Sequence, residues 1–157
     1  MNVNANDMQA YALQLKSASE EIGDAALSCW ADLFYAMHYS FAGDYDTATK
    51  LYNSLRKSFE DINDPRGVSR TLMSIGRILV VHEEWEEAST YLHQSLQMEI
   101  ASGSASDVVR VLMQLGNLYV HSQKNREYLS LLEEHLPKVE QENNSEALAE
   151  ILNRAAI

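Results

Sequence analysis

Arg70, Arg77 and Arg110 are the residues of this chain whose type and spacing point most clearly to chemistry. The chain has 157 residues and only twelve lysines and arginines against twenty-three acidic residues. Arg70 and Arg77 are two helical turns apart, and Arg110 stands forty positions beyond Arg70. Methionine follows two of them at the same offset, as Met73 and Met113. A guanidinium fork suits a carboxylate held at two points, and methionine supplies deformable apolar surface. The bland alternative is that these arginines pair with acidic residues of neighbouring helices.

The remaining reactive residue types assemble into nothing. His38, His82, His93, His121 and His135 show neither HExxH nor another paired spacing. Cys29 and His38 are nine residues apart, which puts them on faces about 180° apart on a helix. Glu83, Glu84, Glu86 and Glu87 lack the alternating oxygens and glycine of a calcium loop and read as a solvated helix start. No glycine-rich phosphate loop and no nucleophile motif occurs. The sequence therefore assigns no catalytic residue, metal ligand or cofactor.

The elements that must position the arginines are helices. Every segment reads at helical period, and none alternates like a strand. Short breaks fall at Gly23-Asp24, Ala42-Gly43-Asp44, Asn63-Asp64-Pro65, Val81 to Glu84, Ser102 to Ser104, Ser122 to Asn125 and Asn143 to Ser145. Asp24 and Asp64 are read as N-caps, with Pro65 at the first helical position, and Ser104 or Ser106 caps a later helix. Eight helices follow, at roughly 7–22, 25–42, 45–61, 66–81, 85–101, 107–121, 126–136 with an extension past Pro137, and 145–156.

These helices repeat with a period of forty residues. Ala36, Gly76 and Gly116 are evenly spaced, and each is followed twelve residues later by Ala48, Ala88 and Tyr128. Arg70-Thr-Leu-Met-Ser-Ile-Gly76 nearly returns as Arg110-Val-Leu-Met-Gln-Leu-Gly116. Such a period marks a solenoid, and solenoids are binding surfaces. The register runs on through Leu148 and Leu152 at one end and Met8, Ala12 and Leu15 at the other. The single domain over 1–157 thus divides into an orphan second helix at 7–22, three periods at 25–62, 65–102 and 104–142, and a partial first helix at 145–157.

The pattern resembles the tetratricopeptide repeat. The second period supplies Leu72, Ile75-Gly76, Leu79, Ala88 and Leu92; the third supplies Leu112, Leu115-Gly116, Tyr119, Tyr128 and Leu132; the first supplies Tyr35-Ala36, Tyr39, Ala48 and Tyr52. The acidic turns Gly43-Asp-Tyr-Asp-Thr-Ala48 and Glu83-Glu-Trp-Glu-Glu-Ala88 also match. The resemblance covers nearly the whole chain, with departures. The period exceeds the family's usual length, its closing proline is missing, Asp32 replaces a large residue, and Tyr128 replaces alanine. Forty-residue versions resemble those of kinesin light chains, mitotic-spindle scaffolds and bacterial peptide-sensing regulators. HEAT and armadillo arrays also have periods near forty. The resemblance implies an all-α fold, a right-handed α–α superhelix of about eight antiparallel helices, with a concave face lined by the first helix of each period.

On those helices the packing stripe is Leu72, Ile75, Gly76 and Leu79, at i, i+3, i+4, i+7 spacing. The opposite face carries Arg70, Met73, Ser74, Arg77, Val80 and Val81 in the second period. It carries Arg110, Met113, Gln114, Asn117, Val120 and His121 in the third, and Trp30, Leu33, Phe34, Met37 and Phe41 in the first. Arg154 joins the arginines from the last helix. The expected ligand is a protein or peptide segment with acidic groups beside an apolar anchor. The aromatic cluster of the first period either meets that ligand or is covered by the first helix or by a second copy in a homodimer.

Composition narrows the partners. A net charge of −11 argues against nucleic acid and anionic membranes. The apolar runs are too short to insert in a bilayer, and the polar start Met1 to Asp7 has no leader pattern. A lone Cys29 fits a reducing cytoplasm. The expected role is a cytoplasmic adaptor or scaffold without enzymatic activity. The alternatives are a ligand-responsive sensor domain of a larger regulator, or a secretion-type chaperone.

Overall fold

The structure is a computed structural model that describes residues 5–102 and 104–140. Among the described residues seven helices follow one another: α1 (Ala5–Ile22), α2 (Ala25–Ala42), α3 (Tyr45–Asp61), α4 (Pro65–Val81), α5 (Trp85–Ser102), α6 (Ala105–His121) and α7 (Asn125–Glu140). Each packs chiefly on its neighbours in sequence, with further contacts between α2 and α4 and between α4 and α6. That pattern is a helical repeat solenoid, and α2, α4 and α6 stand side by side along it. The expected helix at 145–156 and Arg154 lie outside the described residues. Pro137 does not end α7, which continues to Glu140.

The helix boundaries are set by a twenty-residue frame. Helices begin at Ala25, Tyr45, Pro65, Trp85, Ala105 and Asn125. Two residues before most of these starts the backbone turns left-handed: Gly23 (φ 73°), Gly43 (φ 85°), Asn63 (φ 55°), Glu83 (φ 61°) and Gln123 (φ 59°). The next amide then reaches back to a carbonyl five residues earlier, as Asp44 N–H does to Tyr39 (3.0 Å), Asp64 to Phe59 (2.9 Å), Glu84 to Leu79 (2.9 Å) and Lys124 to Tyr119 (2.8 Å). This closure satisfies carbonyls that a helix end leaves open. Asp24, Asp44 and Asp64 then cap the following helices by accepting from Leu27, Thr47 and Gly67 at 3.0, 3.1 and 3.0 Å. Of Ser104 and Ser106, Ser104 is the cap of α6, accepting from the Asp107 amide at 3.4 Å.

The small residues lie at helix crossings. Ala36, Ala48 and Ala88 are fully buried. A Cβ on Gly76 would lie 2.7 Å from Leu92 Cγ, and one on Gly116 would lie 2.6 Å from Tyr128 Oη. Two apolar clusters result. One joins Leu33, Ala36, Tyr52, Phe59, Ile75 and Ile78 across α2–α4, and the other joins Leu92, Leu96, Leu112, Leu115, Tyr128 and Leu132 across α5–α7. Asp32 departs from the packing pattern because α1 docks there: Lys16 Nζ donates to Asp32 Oδ2 at 2.7 Å and to Ser28 Oγ at 2.9 Å.

Candidate functional site: a groove across α2, α4 and α6

A groove of about 310 Å³ runs across α2, α4 and α6. Its α2 wall is Trp30, Leu33, Phe34 and Met37; its α4 floor is Arg70, Met73, Ser74 and Arg77; its α6 side is Arg110 and Gln114. Residues forty apart in sequence thus become neighbours in space, because consecutive first helices of the hairpins lie alongside each other.

Trp30 is anchored in the α2 wall. Trp30 Nε1 donates to Asp64 Oδ2 at 2.9 Å, and its ring meets Phe59 edge-on at 5.3 Å. Asp64 also caps α4 through its other oxygen. One carboxylate therefore fixes both the start of the floor helix and the indole of the wall. Leu33 was expected on the open face but is only 1% exposed and belongs to the core; its edge closes the bottom of the groove. Ser74 is likewise buried, because its hydroxyl bonds back to the Arg70 carbonyl at 2.9 Å.

The arginines are unequal. Arg77 donates to Ser40 Oγ at 2.9 Å and stacks over Phe41, with 4.8 Å from guanidinium carbon to ring centre. Arg110 Nη1 donates to Asp107 Oδ1 one turn earlier on its own helix. Arg66, from the start of α4, lies 3.8 Å from the other oxygen of Asp107. The Arg70 side chain has no hydrogen-bond or ion-pair partner among the described residues. Burial and then the positive charge of Arg110 pull its pKa down, while Asp107 and Glu99 act the other way. A guanidinium stays charged under these conditions, so Arg70 is a partly desolvated cation facing the groove. For Asp107, burial pushes the carboxyl upward, but the Ser104 hydroxyl and the Arg110 and Arg70 guanidiniums outweigh it and leave it below the ordinary range.

Other expected face residues lie off this groove. Phe41 sits at the end of α2 beneath Arg77, 56% exposed. Met113 packs against the α5–α7 core, Asn117 is half-buried with its own interaction, and His121 is exposed at the end of α6. Val80 also packs on that core, whereas Val81 is exposed. Ala12, Leu13 and Lys16 of α1 lie beside Ala31, Asp32 and Tyr35, whereas Trp30 and Phe34 line the groove.

Sequence reasoning missed Asp107 and Gly67. Asp107 is an acid within one turn of Arg110, a spacing that signals an ion pair. Gly67 lies against Phe59, where a Cβ would come within 2.0 Å of the ring; glycine in the first turn of an otherwise apolar helix was the available signal.

Outside the groove the chemistry is structural. Burial and then the Asp32 carboxylate push the Cys29 thiol upward, which disfavours a reactive thiolate. His93 Nε2 lies 3.0 Å from Tyr119 Oη; burial and then His135 lower its pKa. Among the described residues, no three histidine, cysteine or carboxylate side chains gather as a metal site, and no helix is long and apolar enough to cross a membrane.

No family model matches the chain. It is similar to human tetratricopeptide repeat protein 29, 24% identical over 118 residues, which is 74% of this chain and 25% of that protein. The chain thus spans about a quarter of the length of that curated relative. The similarity agrees with the helical repeat fold.

Proposed function

We propose that the chain is a protein-interaction module that binds a peptide segment in the groove across α2, α4 and α6, and performs no chemistry on it. The observation that carries this reading is Arg70: a partly desolvated guanidinium on the groove floor, with no partner among the described residues, beside an apolar wall. Its donors stay open to water in the free groove, and a ligand carboxylate would engage them in two-point contact. Phe34, Met37 and Met73 offer an adaptable apolar slot next to it. The segment therefore carries an acidic residue beside an apolar side chain. The module acts as an adaptor or scaffold. Self-association through the first period is the weaker reading, since Phe41 is the only strongly exposed large apolar residue of that cluster.

The test is fluorescence anisotropy with labelled acidic-apolar hexapeptides on wild type and on Arg70→Glu/Arg110→Glu. Loss of the attractive Arg70 contact and gain of two repulsive charges should weaken binding by about a hundredfold or more. Unchanged affinity in a variant with wild-type helicity rejects the groove as the binding site.

A further inference from the structure

The cationic end of the groove holds more than the ligand-facing arginine. Arg66, Arg70 and Arg110 converge on Asp107, which is 8% exposed. Ser104 Oγ donates to the same carboxylate at 2.8 Å. Glu99, 6% exposed, adds a second negative charge within range of Arg70 and accepts weakly from Ser102 Oγ at 3.4 Å. Three guanidiniums thus face two carboxylates, an excess of one positive charge. The excess is localised: Asp107 engages Arg110 and Arg66, whereas Arg70 is unengaged among the described residues.

We infer, resting on the peptide-binding reading above, that Asp107 is the built-in counter-ion of the groove and sets its charge selectivity. It holds Arg110 and Arg66 and reserves Arg70 for the ligand, so the groove takes a segment with one acidic side chain in preference to one with two adjacent acidic side chains. The first carboxylate meets the open fork of Arg70. A second would have to reach Arg110, whose guanidinium is already matched, and would face the Asp107 carboxylate behind it. Like charges at such separations in a partly buried site repel by enough to change affinity about tenfold. Asp107 touches no ligand in this scheme; it acts by positioning and neutralising Arg110.

The experiment uses two hexapeptides of one apolar sequence, carrying either a single glutamate or two adjacent glutamates, titrated against wild type and Asp107→Asn. Asparagine keeps a side-chain oxygen for the Ser104 hydroxyl, so α6 retains its start. Wild type should bind the single-glutamate peptide at least as tightly as the other. Asp107→Asn should tighten the two-glutamate peptide about tenfold and change the single-glutamate peptide by less than about threefold. A loss shared equally by both peptides, or no gain for the two-glutamate peptide, overturns the assignment while leaving peptide binding intact. Wild type binding neither peptide overturns the peptide-binding reading itself and the inference with it. Should Asp107→Asn fold poorly, Arg70→Gln and Arg110→Gln are compared on the single-glutamate peptide: Arg70→Gln should cost at least about tenfold more than Arg110→Gln, and the reverse order contradicts the inference.

Discussion

The α4–α5 and α6–α7 hairpins occupy the same frame and fill it differently. In the first, Gly76 meets Leu92 and Ala88, and Ser69 and Ser95 bond to each other across the crossing at 2.9 Å. Forty residues on, Gly116 meets the phenol of Tyr128, and the serine pair becomes Val109 and His135. Valine offers no hydrogen bond, and His135 Nδ1 is buried with no partner among the described residues. The frame survives these exchanges because it is set by backbone closure and caps. What changes is the content: the α4–α5 crossing holds small residues and a bonded serine pair and carries the groove floor, whereas the α6–α7 crossing holds His135 and the buried phenol of Tyr128 in their place.

The largest effect that separates the two is steric. Gly76→Ala should destabilise the fold by about 2 kcal/mol net of the helix-propensity gain, since Leu92 is fully buried and cannot retreat. At Gly116 the nearest obstacle is the phenol of Tyr128. In urea unfolding, Gly116→Ala and Tyr128→Ala should therefore be sub-additive by about 1 kcal/mol or more. Strict additivity would mean that Tyr128 is not what blocks a side chain at Gly116.

A smaller contrast concerns pH. Burial and the charge of His135 lower the His93 pKa in the folded state below the unfolded value of about 6.5. The neutral ring is thus favoured by folding; its contribution is complete above about pH 6.5 and is lost as pH falls towards the lowered value. Melting temperature should drop by about 2 °C or more over that descent, and His93→Gln should flatten this part of the curve. An unaltered pH profile in His93→Gln contradicts the placement of the charge penalty at α5–α7.

The smallest effect lies in the turns that both hairpins share. Glu83 and Gln123 adopt the left-handed conformation that Gly43 provides without a side chain. Glu83→Gly and Gln123→Gly should each stabilise by about 0.5–1 kcal/mol, with equal gains in both hairpins. Destabilisation by either would show that the side chain, and not the backbone, holds the turn.

Much of this was legible in the sequence. The helices, most caps and the face holding Arg70, Arg77 and Arg110 followed from period and turn chemistry. The twenty-residue frame was half hidden, because glycine marks the left-handed position at Gly23 and Gly43 while Asn63, Glu83 and Gln123 fill it elsewhere. Leu33 was misplaced because a wheel assigns a residue to a face without knowing how deep α3 and α4 reach beneath it. Met113 and Asn117 are half-buried on α6 beyond the groove lining, a depth that a helical wheel does not show. The ion pair of Arg110 with Asp107 was available from spacing, yet the consequence, an open Arg70 beside an occupied Arg110, needed three dimensions.

The position of a bound peptide decides whether the groove is the binding surface. Methyl-labelled methionine NMR reports this directly, because Met37 and Met73 line the groove and Met98 lies on α5. Addition of the single-glutamate peptide should shift the Met37 and Met73 methyl signals saturably and leave Met98 in place. Saturable shifts at Met98 with Met37 and Met73 unmoved would contradict the groove as the binding surface.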